Sequence, residues 1–531
     1  MAWGDNMRKR KFTGFLIICI LTTWLMMPVK GENNVDINAV IQPEGDFPGI
    51  VYAHPQPCRT LDPALARDDT SALLISNVYE GLVKFSEEST EIEPCLAKSW
   101  ETSQDGLEWT FFLRRGILFH DGTQFNAQAV KFNVERQLNE NDNMIYAKFV
   151  YGPVKSVEVV DDYTVKFILK YPYTPFLNNL AMPFAAPVVS PAAVEKYGDE
   201  MGKHAVGTGP FQLDNWQNDT IRLTRNPSYW GEGPKCDAIT FRHVAEEDNR
   251  IKLLREGKIH LASHITPKKA QNLKSHGFST YQTSGLDISY LGLYVNKPPF
   301  SYHAARKAVD LALDREILVK ETLKGQGVPA TSYLPPQMAG YDSIVQTRDI
   351  NKAKELLNTL SLENETITII TYSGTRPYNP AGGKILARAI ADQLKEIGLH
   401  AEIVAYEWEE YKQALARQEG NAFLYGWISD NGDPDNFLYP SFASVHIETG
   451  LNASHFANQE VDTLLHTAQR TQDPRARRDL YRKTLQILEN EIPWAVLNHS
   501  LRIVATAPGL SGFNPHPTGW DRLTTVTKHS P

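Results

Sequence analysis

Residues 366–406, TITIITYSGTRPYNPAGGKILARAIADQLKEIGLHAEIVAY, contain the pattern that decides the fold class. The opening run, 366–372, is rich in β-branched and aromatic residues and predicts a strand. From about 383 to 397, apolar side chains recur on one face at helical spacing, and Gly398 then ends the helix. Residues 399–406 predict a second strand. A strand, a helix and a strand in this order predict an α/β lobe with a parallel sheet.

The rest of the chain agrees with a large α/β protein. Residues 422–427, AFLYGW, predict another strand, and residues 458–470 and about 474–489 predict helices. Turn residues are spread evenly, and no repeat, low-complexity tract or Gly/Ser linker is present. We therefore expect large lobes with continuous cores.

Composition excludes several classes of protein. Of the 531 residues, 42% are hydrophobic and 22% are charged, which is ordinary for a folded soluble protein. The formal net charge is −8, whereas a general nucleic-acid binder needs a basic surface. We expect no nucleic-acid partner.

The first residues predict export. Residues 8–11 are all basic, and an apolar run over 15–29 follows them, shorter than the roughly 20 residues of a membrane span. This pattern is typical of a secretory signal peptide over about residues 1–31, cleaved after Gly31. An uncleaved membrane anchor is the alternative. Lipid attachment at Cys19 is disfavoured because Ile18, which is not a small residue, precedes it.

Two charged residues of opposite sign follow predicted strands. Arg376 comes after the strand 366–372, and Asp430 comes after the strand 422–427. In open α/β sheets, ligands bind beyond the carboxyl ends of the strands. A small zwitterion buried there needs a partner for each charge, and an Arg fork suits a carboxylate while an Asp suits an ammonium. The alternative is that both are solvated surface groups.

Residues 96–136 read LAKSWETSQDGLEWTFFLRRGILFHDGTQFNAQAVKFNVER, and further motifs are GTGPF at 207–211, NPSYW at 226–230 and YLG at 290–292. These segments resemble the family 5 extracytoplasmic solute-binding proteins, which serve peptide and nickel ABC transporters. The resemblance implies an α/β, periplasmic-binding-protein-like fold of type II, with two lobes and a hinge. It also implies a periplasmic location.

We expect lobe I to combine residues 32–284 with 500–531, and lobe II to comprise 285–499. The two chain crossings between the lobes would form the hinge, which allows closure around a ligand. Arg376 and Asp430 both fall in lobe II, so the ligand would dock there before lobe I closes over it.

Two segments are similar to the dipeptide-binding branch of the family: RPYNP at 376–380 and GWISDNGDPDNF at 426–437. The resemblance implies that Arg376 holds the peptide carboxylate and Asp430 the α-ammonium. It also places Tyr378, Trp408 and Trp427 among the substrate-binding residues. Core packing is the alternative for the two tryptophans.

The resemblance implies a monomer without a cofactor that captures dipeptides or short peptides and delivers them to a membrane permease. A haem, glutathione or nickel-chelate carrier, or a sensor, on the same fold is the alternative. The edge of lobe I reads ARDDTS at 66–71, which is more charged than the family's small polar stretch. The side-chain preference for the ligand is therefore open.

Catalysis is not expected. The sequence lacks Gly-x-Ser-x-Gly, His-Glu-x-x-His and Walker A motifs. His120 lies in a Phe-His-Asp-Gly turn that we interpret as a shape-determining feature. The acid-rich run 430–435 does not fit the EF-hand spacing, so no metal site is predicted.

Cys58, Cys95 and Cys236 remain after the signal peptide, so at most one internal bridge can form. The dipeptide-binding branch carries cysteines where this chain has Ala53 and His260. The sequence leaves open which two of the three would pair, and a bridge between Cys58 and Cys236 is one candidate to replace the bridge of that branch.

Overall fold

The computed structural model describes residues 49–139, 144–343, 347–362 and 365–528. The predicted signal peptide lies outside these residues. None of the helices within them is long and apolar enough to cross a membrane. The names lobe I and lobe II are kept for the described parts of the two predicted lobes.

The elements of the first lobe, up to residue 284, are β1 (Ile50–His54), α1 (Asp69–Val78), β2 (Val83–Phe85), β3 (Ile92–Pro94), β4 (Ala97–Thr102), β5 (Glu108–Leu113), α2 (Ala127–Asn139), α3 (Ile145–Tyr151), β6 (Val154–Asp161), β7 (Thr164–Leu169), α4 (Phe176–Leu180), α5 (Pro191–Tyr197), β8 (Phe211–Gln217), β9 (Thr220–Arg225), β10 (Ala238–His243), α6 (Glu247–Arg255), β11 (Leu261–Ser263), α7 (Pro267–Ser275) and β12 (Ser279–Ser284). A 3-10 helix follows α5 at Gly198–Lys203.

The remaining elements are β13 (Asp287–Leu293), α8 (His303–Ala312), α9 (Arg315–Glu321), β14 (Gly327–Pro329), α10 (Ile350–Asn358), β15 (Thr366–Tyr372), α11 (Gly383–Lys395), β16 (His400–Tyr406), α12 (Trp408–Ala416), β17 (Ala422–Ile428), α13 (Asp435–Phe442), α14 (Gln459–Ala468), α15 (Pro474–Glu491), β18 (Trp494–Thr506), β19 (Leu510–Ser511) and β20 (Thr527–Lys528). A second 3-10 helix follows α13 at Ser444–His446.

One mixed sheet runs through both lobes in the order β16-β15-β17-β13-β18-β11-β1-β10-β9-β8, and β12 and β14 also pair with β18. A separate antiparallel sheet, β4-β5-β7-β6, lies within lobe I. The long strand β18 changes partners along its length. Its residues 494–498 pair with β13, and its residues 501–506 pair with β12. This change falls at the predicted lobe boundary, which itself stays a prediction.

The predicted strand, helix and strand form β15, α11 and β16, with ends within two residues of the expectation. β15 pairs in parallel with both β16 and β17, as predicted. The sheet of lobe II is nevertheless mixed, because β13 pairs with β17 and β18 in antiparallel fashion. The α/β class is confirmed, and the predicted parallel pairing holds for β16, β15 and β17 but does not extend to β13 and β18.

Strand β15 is buried on both faces, which explains its nearly continuous apolar sequence. Ile367 and Ile369 pack into a core shared with α11. Ile370 and Tyr372 pack on the opposite face, in a core shared with Tyr411 of α12. Helices therefore pack on both faces of the strand. The loop that follows the strand starts from this rigid element.

The GTGPF and NPSYW motifs of lobe I meet at a buried carboxylate. Glu80 is 4% exposed and accepts hydrogen bonds from Thr208 Oγ1, Tyr229 Oη and Trp230 Nε1, each at 2.8 Å. The donors belong to the GTGPF and NPSYW motifs. Three donors satisfy a buried carboxylate that would otherwise be costly. These motifs therefore stabilise the interior of lobe I.

His120 is held by the backbone. Its Nδ1 accepts from the Gly207 amide at 3.2 Å, and its Nε2 lies 3.0 Å from the Gly209 carbonyl oxygen. With Nδ1 accepting, the proton lies on Nε2, which donates to that carbonyl. Both ring nitrogens are thus occupied in fixing the turn, as the sequence interpretation expected.

The cysteine bridge suggested by the resemblance is wrong. Cys58, Cys95 and Cys236 are all free thiols. The Cys58 sulfur lies 3.6 Å from both the Thr60 carbonyl oxygen and the Ser71 hydroxyl. Burial raises the pKa of the Cys58 and Cys95 thiols to about 12, and that of Cys236 to about 11. Protonated thiols of this kind are poor nucleophiles for disulfide exchange.

Candidate ligand-binding cleft

Arg376 and Asp430 lie in loops that leave the same edge of the sheet. Arg376 follows β15, and Asp430 follows β17. The two strands are parallel neighbours, with Ile369 opposite Ala422 and Ile370 opposite Phe423. Parallel strands direct their carboxyl ends to one edge, so the structure brings together the loops that the sequence selected.

Arg376 is a half-buried cation without an anionic partner. A two-way backbone pairing with Asn379, at 3.0 and 2.9 Å, closes the turn that presents it. Its Nε atom is buried and makes no hydrogen bond. Within the part of the chain that the structure describes, Arg376 forms no ion pair. Burial lowers the pKa of this guanidinium, which is a sign that its charge lacks solvation.

An aromatic platform supports Arg376. Its guanidinium carbon lies 3.3 Å from the ring centre of Trp408 and 5.6 Å from that of Tyr372. Trp408 in turn stacks on Tyr425, with ring centres 5.9 Å apart and planes 5° from parallel. Stacking fixes the plane of the guanidinium and leaves its edge donors free. Trp408 therefore positions Arg376 as well as packing in the core.

Asp430, like Arg376, forms no ion pair with any residue that the structure describes. Its amide nitrogen donates to Asn436 Oδ1 at 3.3 Å, and Trp427 Nε1 donates to the same oxygen at 3.3 Å. The Tyr146 hydroxyl, from lobe I, donates to Asp430 Oδ1 at 3.2 Å. Burial raises the pKa of Asp430 to about 6. The nearby charge of Asp69 adds to that rise, whereas the bond from Tyr146 opposes it.

The other acidic residues of the same loop interact with neighbouring residues of the protein. Asp433 receives a two-pronged ion pair from Arg477, with N–O distances of 2.6 and 2.7 Å, and is almost fully buried. Burial and the adjacent Asp433 raise the pKa of Asp435 to about 7. No group of three His, Cys, Asp or Glu in the described ranges is placed to hold a metal ion. The run 430–435 thus anchors its own loop and presents Asp430.

Lobe I touches this loop directly. Thr90 Oγ1 donates to the Gly432 carbonyl oxygen at 2.9 Å, and Asn431 Nδ2 donates to Asn179 Oδ1 at 2.8 Å. Gly432 has a positive φ of 66°, and a Cβ atom there would lie 2.5 Å from Thr90 Cγ2. Only glycine fits this close approach. Lobe I is therefore in direct contact with the loop that presents Asp430.

The remaining predicted site residues, Trp427 and Tyr378, differ in how deeply they are buried. Trp427 is half-buried beside Asp430 and shares Asn436 with it. Tyr378 is 1% exposed, and a Cβ atom on Gly426 would lie 2.4 Å from its ring. Its hydroxyl is buried without a hydrogen-bond partner. The structure thus places Tyr378 beneath the Arg376 turn and not on the open surface of the cleft.

Sequence reasoning missed two residues that orient Asp430. Asn436 lies within the quoted motif, and its asparagine side chain was a usable signal for a loop-bracing role. Tyr146 left no such signal, because its contact with Asp430 spans 284 residues and depends on how the lobes meet.

Comparisons with known proteins agree with this architecture. The family model "Bacterial extracellular solute-binding proteins, family 5 Middle" matches residues 91–449. The glutathione-binding protein GsiB of Salmonella choleraesuis is 34% identical over 467 residues, covering 86% of this chain and 89% of that protein. The dipeptide-binding protein of Escherichia coli K12 is 32% identical over 474 residues, covering 83% and 87%.

A solved structure extends the similarity to three dimensions. The periplasmic binding protein DppA from Helicobacter pylori, in complex with the peptide STSA, has a TM-score of 0.69 and 30% identity. The match covers 91% of this chain and 98% of that one. The predicted fold class is confirmed by these similarities.

Proposed function

The chain belongs to the bacterial extracellular solute-binding proteins of family 5, and from that premise we propose that it captures dipeptides or short peptides in the periplasm. It then delivers them, as a monomer, to the permease of an ABC transporter. The observation that carries the peptide assignment is a pair of charges, Arg376 and Asp430, at one edge of the lobe II sheet, neither of which forms an ion pair within the described parts of the chain.

A zwitterionic peptide supplies the two missing partners. Its carboxylate accepts hydrogen bonds from the free edge of Arg376, and its α-ammonium donates to Asp430. Each charge in an enclosed cleft costs several kcal/mol unless it is paired, so both pairs favour the ligand strongly over water. Two extended residues span roughly 7 Å, and the fixed clamp therefore selects for peptide length.

Closure completes the site. The peptide docks on lobe II, and lobe I then rotates about the crossings near residues 284–285 and 499–500. Tyr146 reaches Asp430 only from lobe I, so the bond between them belongs to the closed form. Closing removes water and strengthens both ion pairs. No step of this cycle involves bond chemistry in the ligand.

Glutathione is the second candidate, favoured by the 34% identity to GsiB. Glutathione carries two carboxylates and one ammonium at neutral pH. The clamp offers one guanidinium, and the neighbouring Asp69 adds negative charge beside Asp430. This charge balance suits a zwitterionic or cationic peptide better than an anionic one.

Isothermal titration of the mature protein tests the proposal. Gly-Leu is expected to bind, and acetylating its amino end or amidating its carboxyl end should each weaken binding by at least about 100-fold, since each cap leaves a buried charge unpaired. Glutathione is the matched control and should bind more weakly than Gly-Leu. Binding that ignores both caps, or tight binding of glutathione alone, would contradict the peptide assignment.

Affinity is expected to fall in acid. The pKa of Asp430 is about 6 in the empty protein, and pairing with an ammonium lowers it. Peptide binding therefore requires loss of a proton below that pH, and affinity at pH 5 should be about tenfold lower than at pH 7.5. Titration in buffers of different ionisation enthalpy should show close to one proton released at pH 5. An affinity that stays constant between these pH values would rule out Asp430 as the ammonium partner.

A further inference from the structure

Two buried asparagines meet where lobe I touches the loop that presents Asp430. Asn179, in α4 of lobe I, is 0% exposed, and Asn431, which follows Asp430, is 1% exposed. Asn431 Nδ2 donates to Asn179 Oδ1 at 2.8 Å, across 252 positions of sequence. Because the two residues belong to different lobes, a rotation that separates the lobes breaks this hydrogen bond and exposes both side-chain amides to water.

Backbone groups fix the orientation of each side-chain amide. The Asp433 amide donates to Asn431 Oδ1 at 3.0 Å, so the Nδ2 group of Asn431 points the other way, towards lobe I. Asn179 Nδ2 donates to the Phe149 carbonyl oxygen at 3.2 Å, which leaves Asn179 Oδ1 facing lobe II. A backbone amide can only donate and a carbonyl can only accept, so neither side chain can turn over without losing a bond. Each lobe thus holds its own asparagine in place, one as donor and the other as acceptor.

The same part of lobe I contacts Asp430 and Asn431 together. Phe149 lies one turn after Tyr146 on α3, and the Tyr146 hydroxyl donates to Asp430 Oδ1 at 3.2 Å. Asn178 Nδ2 adds a longer bond to the Asn431 carbonyl oxygen, at 3.3 Å. The asparagine pair and the tyrosine therefore form one connected set of hydrogen bonds that holds the loop only while the lobes are together.

A buried pair of this kind is sensitive to the loss of either member. In the open form water satisfies both side-chain amides, so the bond between them favours closure only modestly. Truncating one asparagine leaves the other without its partner at a position that water does not reach, and this penalty applies to the closed form alone. Truncating both removes the unsatisfied group as well. The two residues should therefore behave as one unit.

We propose that Asn179 and Asn431 are positioning residues that latch the lobes together and set how long a bound peptide stays in the cleft. The peptide docks on the open form, in which the latch is not made, so the association rate does not depend on it. Release requires the latch to break, so the dissociation rate does depend on it. This inference rests on the proposed function, because the residence time is that of a peptide held by Arg376 and Asp430.

Stopped-flow kinetics with Gly-Leu test the inference, and tryptophan fluorescence is the signal, since Trp427 is half-buried beside Asp430. The wild type is compared with Asn179→Ala, Asn431→Ala and the double variant. We expect each single substitution to raise the dissociation rate about tenfold and to leave the association rate within about twofold of the wild type. The double variant should release the peptide no faster than the faster single variant.

Each substitution also removes a bond within its own lobe, so melting curves of the empty variants are recorded. Asn178→Ala avoids this loss, because the only hydrogen bond of its side chain to the described residues crosses the lobes. It should raise the dissociation rate about threefold with an unchanged association rate. Where a buried variant does not fold, an unchanged dissociation rate in Asn178→Ala overturns the inference.

Asn215→Ala is the matched control, since Asn215 is exposed on β8 of lobe I, and it should keep both wild-type rates. A double variant that releases the peptide about 100-fold faster than the wild type would show two independent effects and overturn the latch. So would a single variant that folds and keeps the wild-type dissociation rate, or one that slows association alone. These results leave the peptide function intact, whereas failure of the wild type to bind Gly-Leu would overturn that function as well.

Discussion

Arg376→Ala is expected to weaken dipeptide binding by about 100- to 1,000-fold, the range for truncating one partner of a buried charge pair. In the variant, the peptide carboxylate enters a cleft that offers it no cation. The aromatic platform of Trp408 and Tyr372 remains and cannot replace the lost donors. Titration calorimetry with Gly-Leu and with its carboxyl-terminal amide measures the effect. Amidation should cost the wild type far more than it costs the variant.

Stability separates this effect from misfolding. Arg376 makes no ion pair with described residues, and burial already lowers its pKa. Its removal should therefore leave the melting temperature of the empty protein nearly unchanged. Arg388→Ala, at an exposed position on α11, is the matched control and should bind Gly-Leu normally. An Arg376→Ala protein that folds and binds Gly-Leu with wild-type affinity would refute the clamp.

Asp430→Asn should have an effect of similar size at the other end of the ligand. The amide cannot neutralise the α-ammonium, so we expect Gly-Leu affinity to fall by about 100-fold or more. Acetylated Gly-Leu, which lacks the ammonium, should bind the variant no worse than it binds the wild type. Asp392→Asn, at an exposed position on α11, is the control. Equal binding of Gly-Leu to wild type and variant would show that the ammonium is held elsewhere.

The same variant should stabilise the empty protein at neutral pH. The pKa of Asp430 is raised from 3.8 to about 6 on folding. A carboxyl with a raised pKa favours the folded state only while it is protonated. Its contribution is therefore lost as pH rises from about 4 to about 6. At pH 7.5, Asp430→Asn should add on the order of 1–3 kcal/mol to the free energy of unfolding, and the gain should vanish near pH 4. Denaturant titrations at both pH values measure it.

Local patterns explain what the sequence could predict of the fold. The spacing of apolar residues that predicts β15, α11 and β16 lies within 41 consecutive residues. Composition and spacing alone therefore locate these three elements. The antiparallel pairing of β13 with β17 and with β18 joins residues about 130 to 210 positions apart in the sequence and has no local signature. Long-range pairing of this kind depends on the complete core.

The candidate site also combines features that local sequence patterns predict with features that depend on long-range contacts. Arg376 and Asp430 could be selected because strand ends direct loops to a common edge. The contact of Tyr146 with Asp430 depends on how lobe I meets lobe II, and no spacing along the chain reports that geometry. Tyr378 was selected because it lies near Arg376 in the motif. Its ring fills the space left by the missing side chain of Gly426, and its role toward a ligand stays a prediction.

Strand β18 has a consequence for the order of synthesis and folding. It lies at residues 494–506 and completes the pairing of β12 and β11 on one side and of β13 and β14 on the other. Neither half of the shared sheet can close before these late residues leave the ribosome. The nascent chain therefore lacks its central strand for more than nine-tenths of translation, and its assembly is expected to be slow and dominated by distant contacts.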